Sequence, residues 1–193
     1  MPTPTPPTAP LNDQPALAPR HPDESRVQMT ELILPQHTNV VGTCFGGTIL
    51  SWIDIAAGIC SRRHARNIAV TVAFDDVHFI TPIRLGDVIN ISARITYAGR
   101  TSMEIQVDVV RERYEGTREH SNTAYVTFVA VDADGRPQPV PPLLIDNDTD
   151  RQRFADAERR RSDRLEKAHR TLPVALPAER AGDLPLGLAT PAV

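Results

Sequence analysis

The chain has little of what would tie it to a secreted or membrane setting. It carries two cysteines, Cys44 and Cys60, in 193 residues. Two thiols make no disulfide framework, and such usage points to a reducing, cytoplasmic compartment. No apolar run reaches about 18 residues, so no membrane-spanning helix is expected. The opening residues lack a basic start followed by an apolar block, so no secretory signal is expected either. An excess of one charge is also missing. The net charge is −3, from 21 basic and 24 acidic residues, with neither half strongly basic. That balance gives nucleic acid no natural footing. Histidine and cysteine nowhere take a zinc-type spacing, so no metal site is expected.

Proline is what the chain has in excess, with 18 residues concentrated towards the two ends. Residues 1–24 are dense in Pro, Ala and Thr. Such a stretch cannot bury enough apolar surface to offset its ordering entropy, so it reads as a disordered leader. Residues 172–193 read as a flexible tail for the same reason. Between them lie a domain over 25–147 and a charged helix over 148–171. That helix is densest in charge over 151–170, where Asp156 and Arg160, Asp163 and Lys167, and Glu166 and Arg170 are i,i+4 pairs. Its apolar stripe, Phe154, Ala157, Leu165 and Ala168, is thin enough for only light docking.

The domain is organised around one stretch. From Gly47 to about Ala65 the sequence is helix-length and apolar on almost every side, the pattern of a buried helix. One stripe differs. Gly47, Ser51, Asp54, Gly58 and Ser61 recur at spacings of four, three, four and three, so they share a face. That face is small or polar and carries one carboxylate. An unpaired charge in a core costs several kcal/mol, so Asp54 needs a dedicated partner or a wet cleft. The basic cluster that ends the helix, Arg62, Arg63, His64 and Arg66, complements the macrodipole as a solvated cap. A phosphate contact is the sharper reading of the same residues.

Strands surround this helix. Residues 26–34 alternate roughly and end at Pro35. After the helix the period falls to two: 68–80, then 88–97, then the run from Met103 to Val109, then 120–131. Turn signals at Pro82–Asp87, Ala98–Thr101 and Glu115–Gly116 separate them. The expected order is one strand, the helix, and four strands in hairpin succession. The economical α+β solution is a curved antiparallel sheet wrapped around the helix. The sheet covers only part of the helix, and a second copy of the domain is the simplest cover for the small stripe.

Chemistry is expected at the helix start. Gly46-Gly47 would present unpaired N–H groups and the positive end of the dipole, with close approach for a ligand. Each donor aimed at an oxyanion can contribute roughly 3 kcal/mol. Asn39 offers a further N–H or holds a water. Asp54 is a candidate general base, yet it lies roughly 10 Å along the helix from Gly47. Both act on one carbonyl only if an antiparallel partner helix brings in a second Asp54. Cys44, close in sequence to His37, is a weaker candidate, a thiol nucleophile without a visible basic partner. His78 at a strand end suits packing or ligand contact.

Taken together, these residues carry a resemblance. Asn39-x-x-Gly42-x-x-Phe45-Gly46-Gly47 with Asp54, then His78-Phe79-x-x-Pro82-x-x-x-Gly86-Asp87, then Gly99-Arg100-Thr101-Ser102, resemble the hotdog-fold acyl-CoA thioesterases. More narrowly the chain is similar to the cytosolic acyl-CoA hydrolase branch. The resemblance implies a six-stranded sheet around a central helix, homodimers or trimers of dimers, and an acyl-CoA substrate hydrolysed without metal or bound cofactor. It implies that Asn39 and the Gly47 amide polarise the thioester carbonyl, with Gly46 beside them, and that Asp54 of the other subunit handles water. It places Arg100, Thr101 and Ser102 near the CoA moiety. Two alternatives stand beside hydrolysis: hydration of an enoyl-CoA, and binding of acyl-CoA without turnover.

Overall fold

Inward-facing residues on three successive strands build the core. They are Ile89, Ile91, Ala93 and Ile95, then Met103, Ile105, Val107 and Val109, then Ala124, Val126, Phe128 and Ala130, all buried. A computed structural model describes residues 17–75 and 77–171 of the chain. Its elements are β1 (Val27–Leu32), α1 (Gly46–Ala65), β2 (Ile68–Phe74), β3 (Val88–Ala98), β4 (Ser102–Glu112), β5 (Arg118–Val131) and α2 (Asp148–Thr171). The sheet order is β1-β3-β4-β5-β2, with every neighbouring pair antiparallel. Its inward face meets Ile49, Ile53, Ala56, Ala57 and Cys60 of α1. The two alanines are fully buried, and small residues there let helix and sheet approach closely.

Two expectations about strand arrangement are corrected. The run 68–80 is not one strand, because β2 stops at Phe74. Nor does β2 form a hairpin with β3. It pairs with β5 on the opposite edge of the sheet, Ile68 opposite Val131 and Phe74 opposite Val126. The connection that follows Phe74 is too long for a tight turn and contains Pro82, which lacks a ladder donor. It crosses the end of the sheet instead, held by Ile80 N–H to Ser121 O at 3.1 Å and by the buried Arg111 guanidinium, which donates to Pro82 O. The sheet therefore has five strands among the described residues, where the resemblance implied six.

The helix is half covered. Ile55 and Ile59, adjacent to the small stripe, stay exposed. So do Ile68, Val70 and Val72 on the edge strand β2. An apolar edge beside an apolar helix face is a template for a further chain. At its other end α1 stops at Arg66, in a left-handed conformation (φ 51°) with its N–H on Arg62 O. Arg20 donates to the carbonyls of Arg63 and His64 at 2.7 and 2.8 Å, so the C-terminal cap comes from the chain itself. His64 is fully buried, against the expectation of a wholly solvated cluster, and its Nε2 bonds Pro141 O at 2.8 Å.

Ordered structure also begins earlier than residue 25. Arg20 bridges Leu143, and Pro22–Ser25 forms a 3-10 turn that buries Ser25. The capping box of His21 and Glu24 supplies what composition alone did not show. The leader through residue 16 and the tail 172–193 lie outside the described residues. The chain forms two compact units that divide between Ala157 and Glu158. Within the first, the start of α2 lies on the outer sheet face. Arg94 clamps both oxygens of Asp150 at 2.6 and 2.7 Å, and Phe154 packs on Tyr97 with ring centroids 5.0 Å apart.

Candidate active site

Asn39 is the hub of its own loop. Its Oδ1 accepts from Val41 N–H at 3.0 Å and Thr43 N–H at 3.2 Å, and its Nδ2 donates to Thr43 Oγ1 at 2.9 Å. The backbone closes the same turn through Asn39 N–H to Thr43 O and Gly42 N–H to Asn39 O. This is a local side-chain substitute for a regular turn. The second Nδ2 hydrogen has no acceptor among the described residues.

That loop feeds α1 through Phe45, whose N–H bonds His37 O and whose carbonyl takes the first intrahelical bonds, from Thr48 and Ile49. Phe45 provides no side-chain cap. The N–H groups of Gly46 and Gly47 have no hydrogen-bond partner among the described residues. The helix opens one residue earlier than expected, at Gly46. Glycine at 47 has a local cause, because an added Cβ would stand 2.5 Å from the Phe45 ring.

Asp54 faces outward from the middle of α1, half-buried. Its Oδ1 accepts from Thr71 Oγ1 at 2.7 Å. Its Oδ2 has no partner among the described residues. Thr71 is the residue that sequence reasoning missed. It sits on β2 at a register shift between Thr71 and Ala73, and bulges re-aim side chains. A hydroxyl in an otherwise apolar edge strand was the available signal.

Within one chain the candidates do not converge. Asn39 and the Gly46-Gly47 amides are at the N-terminal end of α1. Asp54 lies roughly 10 Å further along it. Arg100 and Thr101 lie in the β3–β4 turn, and Ser102 opens β4. The carbonyls of Arg100 and Thr101 bond the N–H groups of Val140 and Ala130, and Ser102 O takes the Gly99 N–H. Ser102 pairs with Val129 and Met103 with Phe128, which also pairs with Thr71. So this turn is level with Asp54 and Thr71, not with the chain's own helix start.

The remaining candidates are occupied elsewhere. Burial raises the Cys44 thiol pKa, which disfavours the thiolate a nucleophile needs. Cys60 is pushed up to about 11 by the same cause. His37 Nδ1 accepts from Leu34 N–H, and its ring meets Trp52 edge-on at 5.0 Å. His21, Asp146 and Asp150 are close enough to share a cation. Asp150 is already held by Arg94, however, and a guanidinium fills the role an ion would take.

A curled five-stranded antiparallel sheet packed on one central helix is the hotdog fold. The sequence profile of the Thioesterase superfamily matches residues 41–115. The uncharacterized acyl-CoA thioester hydrolase YkhA of Bacillus subtilis is 40% identical over 122 residues, 63% of this chain and 71% of that one. The cytosolic acyl coenzyme A thioester hydrolase of Mus musculus is 33% identical over 140 residues, 70% of this chain and 36% of that one. Among solved structures, an apo-hexameric acyl-CoA thioesterase superposes with a TM-score of 0.75 at 33% identity, covering 79% of this chain and 98% of that one. The acyl-CoA hydrolase of Staphylococcus aureus, solved with butyryl coenzyme A and coenzyme A, gives 0.71 at 32% identity, over 79% and 96%. Three further structures similar to this chain are of the S. aureus enzyme with alanine in place of an aspartate, a threonine and an asparagine. The chain belongs to the acyl-CoA thioester hydrolases of the thioesterase superfamily. Among the described residues no helix is long and apolar enough to cross a membrane.

Proposed function

We propose that this protein hydrolyses acyl-CoA thioesters to a free carboxylic acid and CoA, at a site shared by two antiparallel copies. One observation carries the reading: the Asp54–Thr71 pair stands on the uncovered side of α1 with one carboxylate oxygen free. In the S. aureus hydrolase the substituted asparagine, aspartate and threonine lie 15 and 17 residues apart, the spacing from Asn39 to Asp54 and from Asp54 to Thr71.

The thioester carbonyl rests against the Gly47 N–H of one copy, with Gly46 beside it and the last Nδ2 hydrogen of Asn39 as a second donor. Asp54 of the other copy takes a proton from water through its free oxygen. The hydroxide so formed adds to the carbonyl carbon, and the negative charge on oxygen is met by the fixed donors. Collapse breaks the carbon–sulfur bond, and the proton on Asp54 passes to the departing thiolate. Thr71 keeps the carboxylate in one orientation throughout.

An antiparallel pairing also sets the Arg100–Ser102 turn of the second copy, level with its Asp54, towards the first copy's helix start, where the CoA portion would extend. The uncovered Ile55, Ile59, Val70 and Val72 supply the pairing surface. Relatives include hexamers, and a trimer of dimers in the cytoplasm is the assembly proposed here. The structured domain of that assembly is the 25–147 segment together with the ordered residues before it, followed by the charged helix.

The test is release of free thiol from a panel of acyl-CoAs. Turnover by the native protein that Asp54→Ala leaves untouched would remove Asp54 from the mechanism. Hydration of an enoyl-CoA without thiol release would favour the hydratase. Tight acyl-CoA binding with no hydrolysis would favour the binding module.

A further inference from the structure

The outer face of the sheet has a hollow where β1, β3 and β4 meet the start of α2. The register lays out its floor and walls. Ser92 of β3 stands between Gln28 of β1 and Asp108 of β4. Two residues along β3, Arg94 stands beside Gln106. Arg26 precedes Val27, the partner of Ala93, so it comes level with Arg94. The neighbours of Ser92 have longer side chains, so the serine leaves a hole in its row. Arg153 of α2 completes the lining. The hollow encloses about 210 Å³, room for one small molecule.

Its polar groups are held in place without being used up. Arg94 pairs with Asp23 at 2.8 Å and with Asp150 at 2.6 Å, yet its buried Nε has no acceptor. Arg26 reaches Asp23 at 3.2 Å, and Arg153 reaches Asp150 at 3.1 Å. A guanidinium carries five N–H donors, so donors are left over. Asp108 accepts from Thr123 Oγ1 at 2.6 Å and from Gln106 Nε2 at 2.9 Å, one on each oxygen. Each oxygen has capacity for a second donor. Gln28 and Ser92 make no side-chain hydrogen bond among the described residues. A buried donor without a partner calls for an explanation, and a ligand supplies one.

Charge decides the class of occupant. The guanidiniums of Arg26, Arg94 and Arg153 are balanced by the carboxylates of Asp23, Asp108 and Asp150, so a ligand of net charge gains little. The two signs are nevertheless set apart. The guanidiniums gather on the Arg26–Arg94 row and at α2. Asp108 stands one row away on the neighbouring strand, a diagonal of about 7–8 Å between backbones. We propose that this hollow binds a small zwitterion of the α-amino acid type, its carboxylate on the guanidiniums and its ammonium on Asp108. The guanidinium fork matches a carboxylate in shape as well as charge. Ser92 and Gln28 supply neutral polar contacts on the floor. The hollow is on the sheet face turned away from α1, apart from the Asp54–Thr71 pair, so the proposal stands whether or not the protein hydrolyses acyl-CoA. An occupant spans three strands and α2, and it fastens the start of that helix to the sheet.

Isothermal titration and thermal unfolding of the full chain test this. The probes are glycine, L-alanine and L-serine, with acetate, methylammonium and inorganic phosphate as controls that carry charge of one sign. Expected are a saturable heat and a raised Tm with an amino acid, and affinity weaker by about tenfold or more for every control. Arg153→Gln and Asp108→Asn each remove one pole and leave the Arg94–Asp150 clamp in place. Each should weaken amino-acid binding by about tenfold or more. Ser92→Val fills the hollow without changing charge and should weaken it too, and circular dichroism identifies any variant that fails to fold. Three results overturn the proposal. One is no saturable binding of any of the three amino acids to the native protein. Another is acetate or phosphate binding as tightly as they do, which makes the hollow a plain anion site. The third is native affinity in the folded variants, which puts the binding elsewhere.

Discussion

Thr71 Oγ1 donates to Asp54 Oδ1 at 2.7 Å, joining the exposed edge strand to the open face of the central helix. The bond leaves the second carboxylate oxygen without a partner among the described residues. It explains how a carboxylate is tolerated on an otherwise apolar helix: the pair is half in water, with a built partner.

Replacing Thr71 separates orientation from proton transfer. Thr71→Val is expected to lower kcat about 10- to 100-fold, because the carboxylate loses its fixed direction. Asp54→Asn is expected to lower it about 10²- to 10⁴-fold. Thr71→Ser restores the hydroxyl and most of the rate. Steady-state kinetics with KM resolved from kcat checks all three, and a KM effect alone would show that Thr71 only binds.

Asn39 is tested by two substitutions that part its roles. Asn39→Ala removes the acceptor for Val41 and Thr43 N–H and costs about 1–3 kcal/mol, read from urea midpoints. Asn39→Asp keeps both of those bonds and loses the Nδ2 donor, with the Thr43 hydroxyl able to turn and donate to the carboxylate in its place. If the spare hydrogen polarises the carbonyl, the aspartate variant keeps its stability while kcat falls about 10²-fold or more. Equal kcat in Asn39→Asp and the native protein would leave Asn39 as a loop residue only.

His64 sets a pH dependence of stability. Burial holds its pKa below the ordinary histidine value, against the opposing effect of its bond to Pro141 O. The unfolded chain therefore takes up a proton on acidification before the folded one does. This contribution is fully present above about pH 6.5 and is lost as pH falls from there towards the lowered folded value. The slope in that window approaches about 1.4 kcal/mol per pH unit. Urea unfolding of the native protein and His64→Gln from pH 7.5 to 5 checks it, the variant showing the shallower fall.

Arg111 anchors the connection between β2 and β3. It is 2% exposed and reaches Pro82 O, Glu119 and Asp87. Arg111→Met leaves Pro82 O without this donor, while Asp87 keeps the Arg84 N–H and Glu119 keeps Arg113, and it is expected to cost about 1–3 kcal/mol. Calorimetric Tm and the unfolding free energy read the loss. A change under 1 kcal/mol would mean that the connection is held by Ser121 and Thr81 without it.

Cys44→Ser tests the discarded nucleophile. With its thiol buried and held protonated, the variant should hydrolyse acyl-CoA at close to the native rate, and the native protein should resist thiol alkylation.

Much of this was legible in the residues. Alternation fixes which side chains of β3, β4 and β5 face inward, because period two allows one answer once a face is buried. The apolar run after Gly46 fixes α1, and the i,i+3/i+4 stripe picks out Asp54. What the residues could not decide was which strands meet. β2 and β3 are neighbours in sequence and lie at opposite sides of β4 and β5, since hydrogen bonding across a sheet is settled by the path of a long connection. Thr71 stayed hidden for that reason, as its hydroxyl matters only once β2 lies against α1. Asn39, Gly47 and Asp54 were named by local chemistry. That Asn39 is largely engaged in its own turn, and that one chain keeps Gly47 and Asp54 apart, are facts of distance, which only the folded backbone supplies.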